Sequence, residues 1–149
     1  MSSRFLPVLP AAVAGNPVDV NQSYTKIRIV FIDSAVSDRQ DLVASALPGS
    51  KVVLLNTNEN GITQIGKALA HYRHEVSSLH IVSHGAPGSL QLGSSQLDLA
   101  AIEQNCHDLK RWSNALTEDA NILLYGCHVA ANQRGHEFLR ALRALTGAN

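Results

Sequence analysis

At 149 residues the chain has the length of one domain, enough to bury about two-thirds of its unfolded surface. Only 16% of its residues are charged, against roughly 25% in an average domain, and the net charge is zero, so nothing electrostatic directs it to nucleic acid or an anionic membrane. No apolar run approaches the ~20 residues that span a bilayer. The low charge leaves self-association open, or cover by further polypeptide, although Ser, Asn and Gln also keep a surface wet.

Residues 1–25 read as an irregular N-terminal arm. Arg4, the apolar Phe5–Val13 stretch and the small residues Ala12 and Ala14 have the outline of a secretory leader. Pro7 and Pro10 interrupt that stretch, so the arm is the preferred reading.

From residue 26 to residue 149, strand-like and helix-like segments alternate. Ile27–Ile32 is a β-branched run ending at Asp33-Ser34, and Gln40–Leu47 is a short helix stopped by Pro48-Gly49. Lys51–Leu55 is a second strand, closed by the turn-rich Asn56–Gly61. Ile62, Ile65, Leu69 and Tyr72 recur at helical spacing. Ser78–Ser83 is a third strand, followed by a loop from His84 to Gly88 and a small hairpin, Ser89–Leu92 with Ser95–Leu97, around Gly93. Asp98 is placed to cap a helix to about Cys106, with a second helical stretch from Leu109 to Leu116. Asn121–Gly126 is a fourth strand. Asn132 is placed to cap a last helix with Phe138, Leu139, Leu142 and Leu145 on its apolar face, ended by Gly147.

Near-continuous apolar strands predict burial on both faces, and strand–helix alternation predicts a parallel sheet with right-handed crossovers. The expected fold is therefore an α/β three-layer sandwich, a mostly parallel sheet of about four strands with helices on both faces, of caspase-like or flavodoxin-like form. The sequence stops just after a helix, where an α/β domain ordinarily adds a strand; the expectation is a copy truncated at its C-terminus.

In open parallel sheets, functional groups gather at the carboxyl ends of the strands. Three such ends carry polar or reactive residues: Asp33-Ser34, Ser83-His84-Gly85 and Gly126-Cys127. A thiol with an ordinary pKa of about 8.5 is mostly protonated at neutral pH, and an adjacent imidazole activates it as base or ion-pair partner. Gly85 lets its N–H approach a substrate closely, and the Cys127 N–H has access to the same oxyanion. The helix after Cys127 is expected to add a modest positive potential at the sulfur. Taken singly, a strand-end Cys is more often a small buried hydrophobe and a strand-end His a hydrogen-bonded core residue. Their joint placement, each beside a glycine, favours a site.

Other clusters carry less. Cys106-His107 and Cys127-His128 lack the ligand spacing of zinc sites, so no metal or other cofactor is expected. Two cysteines are too few for a disulfide framework, although one bridge stays open. His71 and His74 read as solvated and Trp112 as helix packing. Gly61–Gly66 lacks the Lys-Ser/Thr of a phosphate loop, and Gly126–Ala130 lacks the second Gly of a nucleophile elbow.

Ile81-Val82-Ser83-His84-Gly85 resembles the apolar-block–His–Gly motif of the caspase-like peptidase clan (clan CD), and Ile122–Cys127 resembles its apolar-block–Cys motif. The stretch from Ile29 to Gly147 is more closely similar to an uncharacterised bacterial family, domain of unknown function 4347, found in very large secreted or surface proteins with cadherin-like and haemolysin-type repeats. Phe31–Ser34, His84–Gly93 and Leu116–Cys127 carry that likeness.

The resemblance implies a cysteine endopeptidase-like domain with Cys127 as nucleophile, His84 as acid/base partner and the Gly85 and Cys127 amides as oxyanion hole. Asp33 matches a position lining the substrate pocket, where a carboxylate favours Arg or Lys; capping the next helix, a service Ser34 and Asp38 also offer, is its other reading. The implied partner is a polypeptide, either a substrate or the parent protein in autoprocessing, at an extracellular or cell-surface location. The alternative is a catalytically inactive interaction or secretion-associated module of such a repeat protein. A purely structural flavodoxin-like domain is a third reading, and no cofactor-binding loop supports it.

Overall fold

A computed structural model describes residues 26–46 and 48–149. The N-terminal arm, its leader-like segment and the expected helix end at Leu47 lie outside the described residues. In chain order the elements are β1 (Ile27–Asp33), α1 (Arg39–Ser45), β2 (Lys51–Leu55), α2 (Gly61–Leu69), β3 (Val76–Val82), β4 (Gly85–Ala86), β5 (Ser89–Leu92), β6 (Ser95–Leu97), α3 (Leu99–Gln104), α4 (Cys106–Trp112), β7 (Leu116–Tyr125) and α5 (Asn132–Thr146).

Four strands form one all-parallel sheet in the order β2-β1-β3-β7, while β4, β5 and β6 form a small antiparallel sheet. The step from β1 to β2 runs opposite to the steps from β2 to β3 and from β3 to β7, so right-handed crossovers put α1 on one face and α2, α3 and α4 on the other. α5 packs against α3 and α4 and joins their layer. The result is the three-layer α/β arrangement.

The two faces differ in cover. Ile29, Phe31, Leu79 and Ile81 face the main helix layer and are at most 1% exposed, in one cluster with Ile65, Leu109, Trp112 and Phe138. Full burial of side chains this large contributes roughly 1.5–3 kcal/mol each. On the other face Ile32 is buried, but Leu54, Leu123 and Tyr125 remain 45%, 36% and 44% exposed. The expectation of burial on both faces is corrected here among the described residues: α1 is seven residues long and buries none of them.

Helix starts follow side-chain chemistry where a short polar residue is in place. Asn60 accepts from the Ile62 and Thr63 amides at the start of α2, and Asp98 accepts from the Ala101 amide at the start of α3. Asn132 lies one residue inside α5, whose cap position is Ala131, yet its Oδ1 accepts from the Arg134 amide at 2.9 Å. No side chain caps α1: Asp38 makes no capping bond, and the Ser34 hydroxyl donates to the Leu55 carbonyl at 2.6 Å. The largest boundary difference is at β7, which begins at Leu116 rather than at Asn121. Val76 pairs with Leu116 and Ser78 with Asn121, so Thr117–Ala120 bulges out between two paired positions.

Candidate functional site

The site is built where β3 and β7 end. Their last paired residues are Val82 and Tyr125, and the Ser83 amide donates to the Tyr125 carbonyl at 3.0 Å. Carried forward, this register sets His84 beside Cys127 at the ~4.8 Å spacing of neighbouring strands. Both residues are exposed.

The two glycines make this closeness feasible. A Cβ on Gly85 would meet the Val129 side chain and stand 3.1 Å from the Cys127 carbonyl oxygen. A Cβ on Gly126 would stand 3.2 Å from the Gly85 Cα and 2.7 Å from a Leu90 methyl. Larger residues at either place would push the two strand ends apart.

His84 is oriented by backbone. Its Nε2 lies 3.1 Å from the Ala35 carbonyl oxygen. A carbonyl only accepts, so Nε2 carries the proton in this bond and neutral imidazole keeps its lone pair on Nδ1. No hydrogen bond joins His84 to Cys127 among the described residues.

Asp33 takes a different place from the one expected by resemblance. It is completely buried; one carboxylate oxygen accepts from the Ala35 amide at 2.9 Å and the other from the Gly93 amide at 2.6 Å. This geometry makes it a clamp between the end of β1 and the β5–β6 hairpin, with no surface left for a substrate side chain. Through Ala35 it also fixes the carbonyl that holds His84.

Two amides at the site are free among the described residues. The Gln91 amide donates to the His84 carbonyl at 2.9 Å, which makes Gly85 and Leu90 a non-hydrogen-bonded antiparallel pair. The Gly85 N–H therefore points away from β5, and the Cys127 N–H has no backbone acceptor. The expected helix potential at the sulfur is corrected: α5 starts at Asn132, so a loop separates it from Cys127. In that loop His128 has φ +61, a left-handed conformation uncommon for a residue with a side chain and found enriched at functional sites. The loop is held by the Gly88 amide, which donates to the Val129 carbonyl at 2.9 Å.

Among the described residues no three His, Cys, Asp or Glu side chains cluster as metal ligands. Cys106 and Cys127 are both free thiols. Neither His74 nor Trp112 belongs to the site. The His74 Nδ1 lies 3.2 Å from the Leu116 carbonyl oxygen, and Trp112 is a core residue. The Ala35 carbonyl is the participant that sequence reasoning missed; a backbone oxygen leaves no residue-type signal.

A second polar group lies on the open sheet face. The Ser78 hydroxyl and His80 Nε2 are 2.5 Å apart, and His80 Nδ1 lies 3.0 Å from the Tyr125 hydroxyl. Burial, and to a lesser degree the Arg28 guanidinium, lowers the His80 pKa from its ordinary 6.5. Among curated proteins no match to the chain is found. A family profile matches residues 29–149, and by this match the chain belongs to the family described as "Domain of unknown function (DUF4347)".

Proposed function

We propose that the domain is a caspase-like cysteine endopeptidase module acting through a Cys127–His84 dyad on a polypeptide, either a partner or its parent protein. The observation that supports this most is the close backbone approach of Gly85 to Gly126-Cys127, which sets the two side chains at adjoining strand ends. With Nε2 tied to Ala35, His84 offers Nδ1 to take the thiol proton. The sulfur then attacks the substrate carbonyl carbon, and the oxyanion is met by the Gly85 and Cys127 amides. Collapse breaks the C–N bond, His84 returns the proton to the leaving amine, and water hydrolyses the thioester.

The test is cleavage of a peptide library by the full chain. Products that vanish in both Cys127→Ala and His84→Ala are expected; products that persist in Cys127→Ala overturn the assignment. One observation favours a second reading, an interaction module without turnover. The hydrogen bond of His84 goes to Ala35 and none reaches Cys127. On that reading no peptide is cut, and Cys127 labels no faster in the wild type than in His84→Ala.

A further inference from the structure

Between α2 and α4 lies a cavity of about 410 Å³, and none of the site residues above lines it. Ile62, Leu69 and Tyr72 give it apolar walls, while Lys67, Arg73 and Arg111 bring three cations against the single carboxylate of Asp108. In a chain of zero net charge this is a local surplus of positive charge. Lys67 and Arg111 lie in the last turns of α2 and α4, where each also offsets a helix carbonyl end. Arg73 stands outside both helices.

Trp112 lines the same cavity. Its side chain is 1% exposed, and among the described residues its Nε1–H meets no acceptor. An indole nitrogen only donates, and a buried donor left unmet is rare enough in native proteins to call for a partner atom. Gly66, another lining residue, marks where such an atom enters. A Cβ built on Gly66 would stand 3.7 Å from Trp112 Nε1 and, its own helix aside, meet no other atom within 4 Å among the described residues. The missing side chain leaves the approach to the indole N–H open from the cavity.

We propose that this cavity binds a small organic anion, a carboxylate on an apolar body, with one carboxylate oxygen accepting from Trp112 Nε1–H over Gly66. Lys67, Arg73 and Arg111, all exposed, balance its charge at the rim, and Ile62, Leu69 and Tyr72 receive the apolar body. A few convergent polar groups on apolar walls, at this volume, are the ordinary makeup of a small-molecule site. A bare inorganic anion would leave most of the cavity unfilled. The inference does not depend on the peptidase reading.

The probe is benzoate, added to the full chain, with benzyl alcohol as its uncharged counterpart and inorganic phosphate as a bare anion. The chain has a single Trp, so one indole N–H resonance reports the contact. Benzoate is expected to move that resonance downfield and to saturate, with a Kd of about 1 mM or tighter. Benzyl alcohol and phosphate are expected to bind at least about tenfold more weakly. Gly66→Ala puts a methyl in ordinary contact with Nε1 and suits a helix interior better than glycine, so its melting temperature is expected to hold or rise. Its affinity for benzoate is expected to fall on the order of tenfold or more. Arg73→Gln is expected to weaken benzoate and leave benzyl alcohol unaffected. No saturable shift with benzoate overturns the site. Equal binding of benzyl alcohol makes the cavity merely apolar, and equal binding of phosphate makes it a bare-ion site; either overturns the ligand class. Wild-type affinity in a folded Gly66→Ala overturns the contact with Trp112.

Discussion

The residues that most constrain the site are two without side chains. Gly85 and Gly126 let the chain after β3 and β7 stay in contact two residues beyond their ladder, where His84 and Cys127 sit. Gly85→Ala is predicted to lower stability by about 1–3 kcal/mol, as overpacking does, and to slow alkylation of Cys127. Urea denaturation and thiol labelling on the same variant check both. His80 makes a separate prediction. With its folded-state pKa depressed, the unfolded chain binds more protons, so stability rises with pH toward the ordinary value of 6.5. It falls as pH drops from there through the folded-state value. The difference in melting temperature between about pH 7 and about pH 5 is expected to shrink in His80→Gln, which keeps polar contacts without titrating; an unchanged difference would assign the pH response to other groups. At this scale the sequence displayed His84, Cys127 and their glycines, because residue type and strand-end position are both written in it. It did not display that Asp33 is buried, because its partner at Gly93 is a backbone amide on a distant hairpin.

At the scale of elements, the four parallel strands and the β5–β6 hairpin were legible from β-branched runs and turn residues. The start of β7 was not. Leu116 pairs before a polar bulge, and Thr117-Glu118-Asp119 reads locally as a turn between elements. Nor was the gap between Cys127 and α5, since nothing in the residue types of His128–Ala131 announces a left-handed turn. α5 illustrates a finer limit. Phe138 and Leu139 are adjacent and both apolar, yet Phe138 is completely buried while Leu139, expected on the buried face, opens into a groove between β7 and α5. Phe138→Ala is predicted to cost about 3–5 kcal/mol and Leu139→Ala less than about 1 kcal/mol, read from urea midpoints at constant slope. Equal costs would mean that α5 is rotated from the orientation described.

For the whole molecule, the sheet order brings chemistry-bearing loops to one end and leaves two surfaces thinly covered among the described residues: the face with Leu54 and Tyr125, and the outer edge of β7. The expectation of burial on both faces rested on apolar strand content, which does not reveal how short α1 is. The end-on arrangement is what ties fold to function. The end of β1 and the turn after it contribute Asp33 and the Ala35 carbonyl, the residues just past β3 contribute His84, β4 contributes Gly85, and the turn after β7 contributes Cys127. The central claim is that His84 and Cys127 act as a pair, and the two exposed thiols provide an internal comparison. Iodoacetamide labelling of both at neutral pH, in the wild type and in His84→Ala, tests it most directly. Faster reaction at Cys127 than at Cys106, on the order of tenfold, with the difference lost in His84→Ala, is the predicted result. Equal rates at the two thiols, indifferent to His84, would contradict it.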